Sequence, residues 1–225
     1  MTRLSKGLAL LLFLVLLIAG SNYLQAAAAN SVTILFTHDL HDNFLPYQLN
    51  EKDKVEKRGG FAQLQTLISQ QREQDPSLLL VDGGDFSMGT LFQTIFTQES
   101  PGLRLLGQMG YDAVTLGNHE FDYRPQGLAE SLTAARASKE KLPFIVAGNI
   151  SYPVDNEGRI KGKELKQLQH SLYEYGVEPY TVLECKGYRI GVFGIIGQDA
   201  ASNAPMAGVT FTDPVKQARL IVDKL

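Results

Sequence analysis

The chain has 225 residues, a net charge of −3, one cysteine and no tryptophan. A mildly acidic balance gives no electrostatic reason to seek nucleic acid. The single thiol, Cys185, excludes any intrachain disulfide framework, so the fold rests on its core, which a domain of this size can supply.

Arg3 and Lys6 precede an unbroken apolar run from Leu8 to Ala19, and Gly20-Ser21-Asn22 ends it before Ala26-Ala27-Ala28-Ala29. This pattern predicts a secretory signal peptide over residues 1–29, cleaved near Ala28 or Ala29. The run is shorter than the roughly 20 apolar residues of a spanning helix, so no stable membrane span is expected. The expected product is secreted, periplasmic or held at a cell surface. Its net charge would be −5, since the leader carries two positive charges and no negative ones.

The remainder, 31–225, alternates strand-like and helix-like segments. Val32 to Phe36 reads as a buried strand. Glu51 to Arg58 is mixed in charge and reads as a solvated loop, and Phe61 to Gln74 carries helical apolar spacing at Phe61, Leu64, Leu67 and Ile68. Leu78 to Val81 is a second strand, Leu103 to Met109 a helix, Ala113 to Leu116 a third strand, Gly127 to Ser138 a helix and Phe144 to Ala147 a fourth strand. Residues 155–175 are polar and give no clear assignment. Tyr180 to Leu183 and Tyr188 to Ile196 predict a hairpin turning at Lys186-Gly187, with Cys185 filling core beside it. The alternation predicts an α/β domain with largely parallel strands, and the hairpin predicts a mixed sheet. Asp213-Pro214 should start a helix whose buried face is Val215, Ala218, Ile221, Val222 and Leu225. That helix calls for a following strand, so the chain reads as the front part of something longer.

Three fragments stand just after apolar runs: Asp39-Leu40-His41, Gly84-Asp85, and Gly117-Asn118-His119-Glu120-Phe121-Asp122. Asp39 and His41 are two apart, which on an extended segment puts both side chains on one face. A carboxylate and an imidazole suit Zn²⁺, Mn²⁺ or Fe²⁺ better than Ca²⁺. Asp85 follows two glycines that permit a sharp turn, and such a carboxylate can bridge two ions. Asn118 offers an amide oxygen. His119 can touch a phosphoryl oxygen or leaving group, with Asp122 three residues on to orient it. The alternatives at each place are ordinary turns and a surface histidine.

In this order the fragments resemble the D-x-H, G-D and G-N-H-D/E motifs of the calcineurin-like metallophosphoesterases. Ile34-Leu35-Phe36-Thr37, Arg58-Gly59-Gly60-Phe61, the run Gly117 through Asp122, and Gly191-Val192-Phe193-Gly194-Ile195 are similar to the exported 5'-nucleotidase branch. The resemblance implies a β-sandwich flanked by helices in four α/β/β/α layers, with two divalent ions, Zn or Mn or similar, at the strand ends. Asp39 and His41 would hold the first ion, Asp85 would bridge, and Asn118 would hold the second. Asn118 and His119 would meet the substrate. His119, paired with Asp122, would be catalytic, and a water activated by the two ions would attack phosphorus. Glu120 would be structural.

The implied activity is hydrolysis of nucleotide phosphate monoesters. Cyclic nucleotides, sugar nucleotides or another phosphate or sulfur ester are alternatives on the same site. A weakly metal-binding, inactive domain is an alternative of another class. Two departures stand out: His38 where asparagine is common, and Asp42 where glycine is common. The family also needs later histidines, which His170 in its polar stretch does not replace, and a separate nucleoside-gripping domain.

Overall fold

A computed structural model describes residues 31–51 and 54–225. The signal-peptide reading therefore lies outside the described residues. Among the described residues, no helix is long and apolar enough to cross a membrane.

Four short strands form the central sheet: β1 (Ile34–Thr37), β4 (Leu79–Asp82), β5 (Ala113–Val114) and β6 (Phe144–Ile145). They run parallel in the order β1-β4-β5-β6. Between β1 and β4 lie β2 (Tyr47–Glu51), β3 (Lys54–Arg58) and helix α1 (Phe61–Gln74). After β4 come α2 (Phe96–Glu99) and α3 (Pro101–Met109). Helix α4 (Arg124–Ala137) follows β5, and β7 (Ile150–Ser151) with α5 (Lys163–Tyr175) follows β6. The chain then forms β8 (Tyr180–Cys185), β9 (Tyr188–Phe193), α6 (Gln198–Ser202), β10 (Thr210–Phe211) and α7 (Pro214–Val222). Parallel strands are joined by crossovers that lay helices on the sheet. One face accordingly buries Leu80, Val114 and Ile145 against Ile68, Leu106, Leu128 and Leu132. Each such leucine contributes about 1.5–3 kcal/mol through burial.

The opposite face carries the hairpin β8–β9, which packs Leu183 and Cys185 onto Leu79 beside Val32, Ile190 and Val192. Cys185 is a buried free thiol whose Sγ donates to the Ser77 carbonyl at 2.9 Å. The hairpin does not join the parallel strands, contrary to the expected mixed sheet. It pairs as a separate two-stranded layer. Beyond it, Ile34 and Phe36 on that same face remain 52% and 61% exposed.

Strands β2 and β3 pair antiparallel, where Glu51 to Arg58 was expected to be a loop. Tyr47 and Leu49 alternate with polar residues, but their partners are Arg58 and Glu56, and β3 carries one apolar residue, Val55, so the pattern gives little sign of a strand pair. The unassigned stretch 155–175 contains α5, anchored by Leu165, Leu168 and Leu172 at helical spacing among polar neighbours. Helix α7 starts as expected, with Asp213 Oδ1 accepting from the Lys216 amide at 2.8 Å. Its apolar face is a correction, however. Ile221 is buried, whereas Val215 and Val222 are largely exposed and Leu225, set against Gly191 of β9, is half-exposed.

Candidate metal centre

Parallel strands end on one edge, and ligands gather outside that edge in open α/β sheets. Here β1 delivers His38 to Asp42, β4 delivers Gly83 to Met88, and β5 delivers Gly117 to Asp122. The first two loops run side by side. The Asp39, His41 and Asp42 amides donate to the carbonyls of Gly84, Asp85 and Phe86 at 3.0, 3.0 and 3.1 Å.

Asp39, His41, Asp42, Asp85 and Met88 all have φ between 47° and 62°. The sequence reading placed Asp39 and His41 on an extended segment, and this is corrected. Strand β1 stops at Thr37, and both residues are left-handed, a costly state for non-glycine residues that clusters at functional sites. The loops approach closely at two glycines. A Cβ on Gly84 would lie 2.6 Å from the Gly117 nitrogen, and one on Gly117 would lie 2.2 Å from Asp85 Oδ1.

The loops bring His41, Asp85 and His119 together, with one potential ligand atom of each within 4.8 Å of the others. Ligands of a single ion, at ~2.1 Å from it, stand roughly 3–4 Å apart, so a small closure would seat one. An imidazole–carboxylate set of this kind suits Zn²⁺ or Mn²⁺. Asp39 Oδ1 lies 3.5 Å from His41 Nε2, and its other oxygen pairs with His38 Nδ1. That pairing, more than the opposing desolvation, holds the Asp39 carboxyl below its usual range. His38 thus touches the site. Asn118 is half-buried, and its carbonyl accepts from the Phe121 amide at 3.1 Å.

His119 donates its backbone N–H to Asp85 Oδ1 at 2.9 Å, and its ring edge meets the His41 ring at a centroid distance of 4.9 Å. Its Nδ1 pairs with Asp122 Oδ2 at 2.8 Å. Partial burial works against the imidazolium. The Asp122 hydrogen bond and the charges of Asp122, Asp85 and Glu120 outweigh it and raise the pKa. A cleft of about 270 Å³ opens beside Asp39, Asp85 and Gly117 and reaches Ile195 to Gly197.

Sequence reasoning gave Glu120 a structural role and missed the other two supports behind these groups, Asp82 and Asn149. Glu120 is fully buried and accepts from the Asp85, Ser87 and Gly117 amides and from Ser87 Oγ at 2.6–3.1 Å. Asp82 accepts from Thr37 Oγ1 and the Gly84 amide. Asn149, 2% exposed, exchanges two hydrogen bonds with Ile196 and so fixes the far wall of the cleft. Gly148-Asn149 directly after a strand was the available signal.

Burial pushes the carboxyls of Asp42 and Asp82 up to about 6 and Glu120 up to about 7, against the lowering effect of their hydrogen bonds. Groups raised in the folded state hold protons that the unfolded chain, near pH 4, has released. Their stabilisation is full below about pH 4 and is lost as pH rises through 6 to 7; His119, also raised, acts in the same direction. The metal-free chain should therefore melt at a higher temperature near pH 5 than near pH 8 in calorimetry.

Fold and strand-end cluster together define an α/β phosphoesterase-type domain. The chain belongs to the calcineurin-like phosphoesterase family, whose model matches residues 32–184. It is 32% identical to human 5'-nucleotidase over 215 residues, covering 93% of this chain and 34% of that protein. It is 28% identical over 202 residues to the trifunctional nucleotide phosphoesterase protein YfkN of Bacillus subtilis, covering 84% of this chain and 13% of that one. Among solved structures, the 5'-nucleotidase precursor of Thermus thermophilus superposes with a TM-score of 0.64 at 27% identity, covering 86% of this chain and 34% of that one. The chain thus spans about a third of the human and Thermus proteins' length. The family uses divalent metals, and the cluster of His41, Asp85 and His119 is a possible place for one.

Proposed function

We propose that this chain is the front portion of an exported, two-metal phosphoesterase that hydrolyses phosphate monoesters of nucleotides. The observation that carries the reading is the convergence of His41, Asp85 and His119 at the ends of three parallel strands. Asp39 and His41 would hold one ion, Asp85 would bridge, and Asn118 would hold the second. When bound, the ions would supply Lewis acidity and an activated water.

The chain's own residues do the positioning. Gly84 and Gly117 let the loops close until Asp85 joins His41 and His119 in one cluster. Asp122 holds His119 at Nδ1, which leaves Nε2 to face a phosphoryl or leaving oxygen. A protonated His119 would neutralise charge developing there. Nucleotides as substrates are supported by the names of the human and Bacillus relatives. The Bacillus name also supports a second reading, a broader nucleotide phosphoesterase on the same site. Export rests on the apolar run Leu8 to Ala19 and its basic start.

The test is phosphate release from a panel of 5'-nucleotides, cyclic nucleotides and sugar nucleotides, with Mn²⁺ or Zn²⁺ and with chelator. Metal-dependent release from 5'-nucleotides above the others is expected, and metal-independent release would overturn the reading. In the same assay, activity should fall as pH rises through the His119 pKa. Asp122→Asn removes the partner that raises that pKa, so the fall should begin at lower pH. An unmoved alkaline limb would remove His119 from the reaction.

A further inference from the structure

We propose that Asp42 is a positioning residue for His41, acting through the peptide group that joins Ser87 to Met88. Asp42 is 1% exposed, and its Oδ2 accepts from the Met88 amide at 3.0 Å. The carbonyl of that same peptide, on Ser87, lies 3.2 Å from His41 Nδ1, and the Met88 carbonyl lies 2.9 Å from it. The N–H and C=O of a trans peptide point in opposite directions. Carboxylate and imidazole therefore grip the two ends of one peptide dipole.

The consequence falls on the ring. Two carbonyls can only accept, so the neutral imidazole carries its proton on Nδ1 and keeps the Nε2 lone pair. Nε2 is the atom that faces Asp39 Oδ1. Were the 87–88 peptide to rotate, its N–H would face Nδ1 and compete with the Met88 carbonyl, so that both tautomers would be populated. Asp42 blocks that rotation from one side, while Glu120 holds the Ser87 amide on the other. Residue 42 sits at φ 53°, a backbone that glycine occupies with less strain. The carboxylate contact to Met88 is what an aspartate gains there. The effect on metal uptake rests on the centre proposed above, whereas the tautomer does not.

The chain has four histidines, so long-range proton–nitrogen NMR of the metal-free full chain can resolve His41. The wild type is expected to show Nδ1–H. Asp42→Gly fits the backbone but removes the side chain and leaves the buried Met88 amide without its acceptor. It should mix the tautomers and weaken Mn²⁺ binding by about 10–100-fold, with a melting temperature lowered by the lost hydrogen bond but folding retained. Asp42→Asn keeps an oxygen for the Met88 amide and should restore both. The proposal is overturned by a wild-type His41 that lacks the Nδ1 proton. It is equally overturned by an Asp42→Gly chain that fails to fold, or that folds with tautomer and affinity unchanged. A wild-type chain that takes up no Mn²⁺ overturns the metal-centre reading instead, and the tautomer comparison still decides the role of Asp42.

Discussion

Replacing Asp85 is expected to lower phosphate release by at least about 10³-fold, or ~4 kcal/mol of barrier. Asp85 touches both histidines of the candidate centre. Its Oδ1 accepts from the His119 amide, its carbonyl accepts from the His41 amide, and its carboxylate lies in the cluster with both rings. Asp85→Ala removes the proposed bridging ligand and the His119 contact together. Asp85→Asn separates the two effects, because an amide oxygen still accepts from His119 while the charge is gone. Both variants should lose activity and metal content, and Asp85→Asn should melt near wild type. Full activity in Asp85→Asn with metal content unchanged would exclude the bridging role.

The largest stability effect is expected at Glu120, whose replacement by alanine should cost about 3–5 kcal/mol. Three backbone amides on two loops would lose their acceptor, that of Ser87 in a buried place and those of Asp85 and Gly117 in partly buried ones. Each buried orphan donor costs about 1–3 kcal/mol, and total stabilities are only about 5–15 kcal/mol. Chemical denaturation of Glu120→Ala beside wild type measures the loss. A change below about 1 kcal/mol would mean that the loops hold their form without this carboxylate.

The strand-end placement of the motifs was legible because buried parallel strands read as short apolar runs, three of the four closed here by Asp82, Gly117 or Gly148. Leu79 to Asp82 running into Gly83-Gly84-Asp85 shows the pattern. Helices α1, α3 and α4 were legible from apolar spacing. The pairing of β2 with β3 was not, since β3 is charged but for Val55 and carries no period. Left-handed backbone at Asp39, His41 and Asp42 was not legible either, because it depends on a neighbouring loop about 45 residues away accepting their amides, and Asp85 in turn donates its amide to Glu120. For the same reason the roles of Asp42 and Asn149 were not legible. Their partners, Met88 and Ile196, lie 46 and 47 residues further along the chain. The exposed face of α7 shows the converse case, in which an amphipathic pattern states a capacity for burial that no described element fulfils.

The central claim is that the three loops form a metal centre around Asp85. An anomalous difference map from crystals grown with Mn²⁺ tests it most directly. The expected result is a peak within about 2.2 Å of an Asp85 carboxylate oxygen and of His41 Nε2. An ordered Asp85, His41 and His119 with no such peak, in a protein that binds Mn²⁺ elsewhere, would contradict it.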